Sequence, residues 1–146
     1  MQITTVKIED KQRLAMVWQI RKIVFVEEQG VDESLEYEFE EESHHYLALI
    51  DSVPAGTARW RRTDKGIKLE RFAVLKAYRN KGVGASLLSN ILTESIPLES
   101  KIYLHAQETA VAFYANYGFT KQGNAFIEAD INHFLMVFDT SIGFAR

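Results

Sequence analysis

The feature that most constrains the fold is a glycine-containing turn that joins an apolar strand to a long apolar helix. Residues 69–75 (LERFAVL) have the composition of a buried strand. Helical spacing begins at Gly82 and ends at Pro97, with one apolar face made of Val83, Leu87, Leu88, Ile91 and Leu92. A further strand is predicted from Ile102 to His105. Strand, crossover helix and strand predict a β-α-β unit within one sheet.

More strands and two more helices are predicted around this unit. The expected strands are residues 3–8, 46–50, 55–62, 67–75, 102–105, 119–123 and 134–138. The first helix is capped by Asp10 and ends near Gly30, and a short helix over residues 108–117 ends at Gly118. Residues 32–43 are predicted to be a loop or a weakly amphipathic surface helix. This order predicts a mixed α/β sheet with helices on its faces.

Size and composition exclude several classes of protein. A chain of 146 residues fits one domain, residues 1–146, and 47% hydrophobic with 25% charged residues excludes wholesale disorder. The absence of cysteine excludes disulfides, thiolate metal sites and cysteine nucleophiles, and it fits a reducing cytoplasm. No apolar run is long enough to span a bilayer, so we expect a cytoplasmic protein that does not associate with a membrane. A formal net charge of -3 gives no reason to expect nucleic-acid binding.

The turn itself, Arg79-Asn80-Lys81-Gly82-Val83-Gly84, is suited to a pyrophosphate. Its glycines allow close approach of the backbone to a ligand, and the first N–H groups of the following helix are free at its positive dipole end. Arg79 and Lys81 add positive charge. The turn lacks the GxGxxG of a dinucleotide fold and the GKS or GKT of a Walker loop, which disfavours NAD and ATP. The alternative is a tight turn without a ligand.

Two ordered motifs resemble the GNAT superfamily of N-acetyltransferases. The turn matches the family signature R/Q-x-x-G-x-G/A, and residues 112–119 (AFYANYGF) resemble the family's A-x-F-Y-x-x-x-G-F helix, with the first alanine displaced by one position. The resemblance covers nearly the whole chain and is closest to the small bacterial ElaA-like or YjcF-like subgroup. The residues that suggest this subgroup are Arg21, Val24, Phe25, Val26, Glu28, Gln29, His44, His45, Leu69, Glu70, Arg71, His105, Ala106, Gln107, Glu128 and His133.

The resemblance implies the acyl-CoA N-acyltransferase fold, with a mostly antiparallel sheet of about six to seven strands, and acetyl-CoA as the acyl donor. The main chain of Phe72, Ala73 and Val74 would pair with the pantetheine arm where a bulge separates this strand from the next. The N–H of Val74 would donate to the thioester carbonyl, on which negative charge develops. The full set implied for acetyl-CoA is Phe72, Ala73, Val74, Arg79, Asn80, Lys81, Gly82, Val83, Gly84, Ala85, Gln107 and Tyr114.

The resemblance also assigns an acid. Tyr114 lies where the family often has a general acid that protonates the departing CoA thiolate. The alternative is a helix aromatic whose hydroxyl is already hydrogen-bonded.

The acceptor side requires a base, because an alkylammonium titrates near pH ~10.4 and is almost fully protonated at neutral pH. Glu70, His105, Glu128 and His133 can accept a proton if they lie within reach, and Glu70 and His133 rank first by the resemblance. The alternatives are an ion pair of Glu70 with Arg71 or Lys68, and structural hydrogen bonds for the histidines. His44 and His45 are adjacent and point to opposite sides of an extended chain, so no metal is expected.

The predicted function is transfer of acetyl from acetyl-CoA to a primary amine of a small molecule or peptide, by direct attack in a ternary complex. The alternatives are a longer acyl group, a non-catalytic acyl-CoA-binding or sensing domain, and an interaction module. No Lys or Arg lies between Lys22 and Arg59, whereas carboxylates crowd residues 27–42. This acidic segment either favours a cationic acceptor or simply solvates an exposed loop. The chain is expected to be a monomer, or a homodimer to which residues 134–138 contribute.

Overall fold

The computed structural model describes residues 1–36, 38–98 and 101–139. Seven strands form one sheet in the order β1-β2-β3-β4-β5-β7-β6. Neighbouring strands are antiparallel except β4 and β5, which are parallel. The strands are β1 (Ile3–Lys7), β2 (His44–Ile50), β3 (Val53–Thr63), β4 (Gly66–Val74), β5 (Ile102–Gln107), β6 (Phe119–Glu128) and β7 (Ile131–Phe138). The predicted mixed, mostly antiparallel α/β sheet is confirmed.

The helices largely follow the sequence signals. They are α1 (Lys11–Arg21), which continues as a π-helical segment (Lys22–Glu28), α2 (Glu33–Glu36), α3 (Val83–Ser95) and α4 (Val111–Ala115). Asp10 caps α1 by accepting a 2.8 Å hydrogen bond from the backbone N–H of Arg13. The helix expected over 108–117 is shorter, because it begins as a 3₁₀ turn (Glu108–Ala110) and gives way to turns that Gly118 ends with φ +93°.

Two hydrophobic clusters cover the two faces of the sheet. The apolar side of α3, with α4, packs on one face, and α1 with the π-helical segment packs on the other. Leu87, Leu88, Ile91 and Leu92 of α3 are fully buried, and burial of each such side chain stabilises the fold by about 1.5–3 kcal/mol. Helices therefore pack on both faces of the sheet.

A β-bulge separates β4 from β5 in the middle of the sheet. These strands pair at Ile67, Lys68 and Leu69 and not beyond. On the other edge of β4, the partners step from Arg59–Glu70 to Thr57–Ala73, so that β4 carries one more residue than β3 over this interval. Arg71 absorbs the extra residue with φ +59°. The C-terminal halves of β4 and β5 consequently diverge and leave a cleft between them.

Candidate active site

A cavity of about 370 Å³ lies where β4 and β5 diverge. The bulged part of β4, the end of β5, Tyr114 of α4 and the β6–β7 hairpin line it. The lining includes the predicted Glu70, Phe72, Gln107, Tyr114 and His133. The fold thus brings together residues from distant parts of the sequence, with the glycine turn following β4.

The glycine turn ends in an uncapped helix N-terminus. Gly82 is the N-cap of α3 with φ +94°, a conformation that other residues adopt only with strain. It has no side chain to cap the helix, so residues 83–85 at the start of α3 present backbone N–H groups without a side-chain cap. Lys81 beside them is exposed. This end of α3 therefore has the polarity that an anionic group requires.

Arg79 was predicted to add positive charge to the turn, but in the structure its guanidinium is paired with a carboxylate. Its Nε donates to the carbonyl of Val74 at 2.9 Å, and both terminal nitrogens bond the carboxylate of Glu28 at 2.7 Å. The hydrogen bonds with Glu28 raise the pKa of Arg79. Glu28 offsets the charge of Arg79, which instead ties the end of the π-helical segment to the turn.

The backbone of Val74 is oriented toward the cleft. The N–H of Leu75 donates to the carbonyl of Ala55 at 2.9 Å, on the β3 side. Because successive N–H groups of an extended strand point to opposite edges, the N–H of Val74 points to the β5 side, where pairing has ended at Leu69. Its direction is the one required of a donor to a group lying in the cleft.

Tyr114 is held in place by three aromatic rings. Its ring centroid lies 5.1 Å from that of Phe113, 5.5 Å from Phe72 and 5.9 Å from Phe119. The residue is only 7% exposed, and burial raises the pKa of its hydroxyl. Within the residues that the structure describes, the hydroxyl has no hydrogen-bond partner. The alternative of a satisfied helix aromatic therefore does not describe this side chain.

Glu70 is engaged by three cations. Its Oε2 lies 2.5 Å from Nη2 of Arg59 and 3.0 Å from Nε of Arg61, and its Oε1 lies 3.4 Å from Nζ of Lys68. Burial acts to raise the pKa of Glu70, but the three cations outweigh it and hold the pKa at about 2. A carboxylate this acidic is a weak base near neutral pH, so the geometry argues against the predicted proton-accepting role of Glu70.

A histidine–carboxylate cluster occupies the opposite wall. Nδ1 of His133 lies 2.7 Å from the carbonyl of Ile131, so Nδ1 carries the proton in the neutral ring and Nε2 holds the lone pair. Nε2 lies 3.7 Å from Glu128, and Nδ1 of His105 lies 3.1 Å from the other oxygen of Glu128. The hydrogen bond with His105 lowers the pKa of Glu128. In this tautomer the lone pair of His133 lies on Nε2, on the side of the ring that faces Glu128.

Comparison with known proteins identifies the family. The family profile "Acetyltransferase (GNAT) domain" matches residues 10–140. The chain belongs to the GNAT acetyltransferase family. It is 39% identical over 137 residues to BSU40680 of Bacillus subtilis, an acetyltransferase by assignment, covering 89% of this chain and 92% of that protein. It is 35% identical over 136 residues to the uncharacterised N-acetyltransferase YjcF of Bacillus subtilis, covering 90% of this chain and 96% of YjcF.

Structural similarity extends to Escherichia coli ElaA, with a TM-score of 0.79 and 23% identity over 94% of this chain and 99% of ElaA. The predicted GNAT family, its ElaA-like or YjcF-like subgroup and the acyltransferase class are confirmed. Within the described residues of this GNAT chain, no group of His, Asp and Glu side chains is arranged to hold a metal ion. None of its described helices has the length and apolar character needed to cross a bilayer.

Some residues that shape this GNAT site were not predicted from the sequence. Glu40, in the acidic segment, contacts Nη2 of Arg21 at 2.8 Å and Nη1 of Arg59 at 2.6 Å, and both arginines are almost fully buried. Gln29 bridges the cleft by accepting a 3.0 Å hydrogen bond from Gln107. Nothing in the sequence separates Glu40 from the carboxylates around it.

Proposed function

We propose that this chain transfers the acetyl group of acetyl-CoA to a primary amine, by direct attack of the amine in a ternary complex. The observation that carries the proposal is the cleft between β4 and β5, which opens beside the uncapped N-terminus of α3. In this arrangement one end of the cleft suits a pyrophosphate and the other contains an imidazole and a carboxylate. Family membership supports the acetyl-CoA assignment.

On the donor side, the pantetheine arm pairs with the main chain of residues 72–74, and the N–H of Val74 donates to the thioester carbonyl. Attack of the amine places negative charge on that oxygen, and a fixed N–H in a water-poor cleft stabilises it without reorganisation. Gln107 binds the pantetheine amides after releasing Gln29. The backbone N–H groups at residues 83–85, with Lys81, bind the pyrophosphate.

On the acceptor side, Nε2 of His133 accepts a proton from the ammonium, directly or through water, and Glu128 stabilises the imidazolium that forms. The neutral amine attacks the thioester carbon, and the C–S bond breaks as the tetrahedral intermediate collapses. The nitrogen loses its second proton to water in the cleft, and water returns a proton to Tyr114 after its hydroxyl has protonated the sulfur. The products are the acetylated amine and CoA thiolate. Because burial keeps the hydroxyl of Tyr114 protonated, that hydroxyl donates to the thiolate sulfur as it leaves.

The donor half is tested by thermal unfolding with and without acetyl-CoA. We expect acetyl-CoA to raise the melting temperature of the native chain, and Lys81→Glu to reduce that rise by weakening affinity several-fold. Lys65→Glu makes the same change of charge in the exposed turn between β3 and β4, and should bind like the native chain. The absence of a rise with any acyl-CoA would remove the central claim.

The catalytic half is tested by free-thiol release with a panel of amines. Tyr114→Phe is expected to lower kcat by about 10²-fold, the scale of general acid catalysis, and to leave the KM for acetyl-CoA within about twofold. Tyr117→Phe, in the turn that follows α4, is the matched control and should retain activity. Full turnover by the Tyr114 variant would refute the acid role. Binding of acetyl-CoA without thiol release from any amine would favour the non-catalytic acyl-CoA-binding alternative.

A further inference from the structure

Strands β3 and β4 present a two-by-two grid of charged side chains at the cavity. Their register places Arg59 opposite Glu70 and Arg61 opposite Lys68. Because residues two apart in a strand share a face, all four side chains project from one side of the sheet. Two cations opposite each other, as Arg61 and Lys68 are, repel unless an anion lies between them.

The carboxylates within the described part of the chain leave this grid with an excess of positive charge. Glu40 contacts Arg21 and Arg59, while Glu70 contacts Arg59, Arg61 and Lys68. Among the described residues, two carboxylates thus contact the three cations of the grid. Arg21 and Arg59 are 2% and 1% exposed and lie in the interior, whereas Arg61 and Lys68 line the cavity. The excess charge therefore faces the cavity.

Arg61 is held in position with its donor groups available. Its Nε bonds Glu70 at 3.0 Å, and its guanidinium lies 3.8 Å from the ring centroid of Phe39. Within the described residues, Nη1 and Nη2 make no hydrogen bond or ion pair. A guanidinium fixed on one edge and one face presents its remaining donors as a fork that matches a carboxylate. Lys68 opposite it supplies a second cation, 3.4 Å from Glu70.

The two walls of the cavity differ in character. Arg61 and Lys68 form a cationic wall on β3 and β4, and His105, Glu128 and His133 form a wall of carboxylate and imidazole groups on β5, β6 and β7. The remaining charged lining residues are Glu38, Glu70 and Arg71. A cavity of about 370 Å³ limits the occupant to a small molecule or one residue of a larger one.

We propose that the acceptor is an amino carboxylate, a molecule with both an amine and a carboxylate, of the amino-acid type. Its carboxylate binds the Arg61 fork and Lys68, and its amine faces Glu128 and His133. This inference rests on the proposed transferase function and specifies its second substrate. A polyamine places a second cation against Arg61 and Lys68, so the structure disfavours the cationic acceptor that the acidic segment suggested.

Transfer from acetyl-CoA tests the proposal with matched acceptors: the standard amino acids, each as the free acid and as its carboxamide, and a set of diamines. We expect kcat/KM for the best free acid to exceed that of its carboxamide by tenfold or more. Arg61→Gln and Lys68→Met should each raise the KM for the acid about tenfold and thereby reduce the preference for the acid over its carboxamide by the same factor. Lys65→Met, the same substitution outside the cavity, should have no effect.

Calorimetric titration of the same panel in the presence of CoA separates this proposal from the proposed function. If the native chain binds a free acid more tightly than its carboxamide, and Lys68→Met loses that preference, the carboxylate subsite is supported. This holds even if no transfer occurs, and in that case only the transferase function fails. Transfer to carboxamides or diamines as efficient as to free acids overturns the subsite and leaves the transferase function standing. Absence of binding and transfer for every free acid also overturns it.

Discussion

Glu70 provides the sharpest test of the electrostatics beside the cleft. Its carboxylate lies within 3.4 Å of charged nitrogens on Arg59, Arg61 and Lys68, and these cations hold the pKa at about 2. Because the folded pKa lies below the unfolded value near ~4.3, the ionised form stabilises the fold. That stability is fully present above about pH 5 and is lost as pH falls toward 2. Glu70→Gln mimics the protonated form at every pH.

The magnitude follows from the size of the pKa shift. A depression of roughly two pKa units corresponds to about 3 kcal/mol of stability at pH 7, because one unit is worth about 1.4 kcal/mol. At pH 3 the unfolded carboxyl is protonated while much of the folded one remains ionised, so about 1 kcal/mol remains. We therefore expect Glu70→Gln to destabilise the chain by about 3 kcal/mol at pH 7 and by about 1 kcal/mol at pH 3.

Urea unfolding at pH 7, 5, 4 and 3 measures this difference directly. Glu108→Gln is the matched control, since Glu108 is exposed, and its effect should stay within about 0.5 kcal/mol at each pH. A Glu70→Gln effect that is the same at pH 7 and pH 3 would refute the depressed pKa. It would also restore Glu70 as a plausible general base, because a carboxylate with an ordinary pKa accepts a proton more readily.

Two further predictions concern packing around the site. Glu40→Ala removes the carboxylate shared by two buried arginines and should lower the free energy of unfolding by about 3 kcal/mol. Glu41→Ala, at an exposed position, is the control and should change it by less than about 0.5 kcal/mol. Equal losses for the two variants in urea unfolding would contradict this prediction. Gly56→Ala places a Cβ 2.7 Å from Cγ1 of Val83 and 3.0 Å from the carbonyl of Ala73, so thermal unfolding should show a loss of about 1–3 kcal/mol. Gly84→Ala meets only Phe113, at 3.3 Å, and gains helix propensity, so a larger loss there than at Gly56 would refute the packing argument.

The sequence predicts those parts of the fold that depend on local patterns. Asp10 caps α1, Gly118 ends the α4 region and Pro97 follows α3. Each acts locally, through a side-chain acceptor at Asp10, a positive φ at Gly118 and a missing N–H donor at Pro97. The strand after Phe119 was predicted to end at Gly123 but continues to Glu128. The register of β6 against β7 shifts between Gln122 and Phe126, and Gly123 has φ +76°. The glycine therefore marks an irregularity within the strand, and pairing with β7 continues beyond it.

The charge pattern was less informative, because the role of a carboxylate depends on partners brought close only by folding. In the sequence, Glu40 looks like the other carboxylates of the acidic segment. In the structure, among the described acidic residues of that segment, only Glu40 contacts both Arg21 and Arg59. Its burial changes the interpretation of the acidic segment, since this carboxylate anchors the segment to the sheet instead of facing an amine. Phe39, next to it, is thereby brought over Arg61. The segment thus acts on the cavity by fixing the guanidinium of Arg61, and it also contributes Glu38 to the cavity lining.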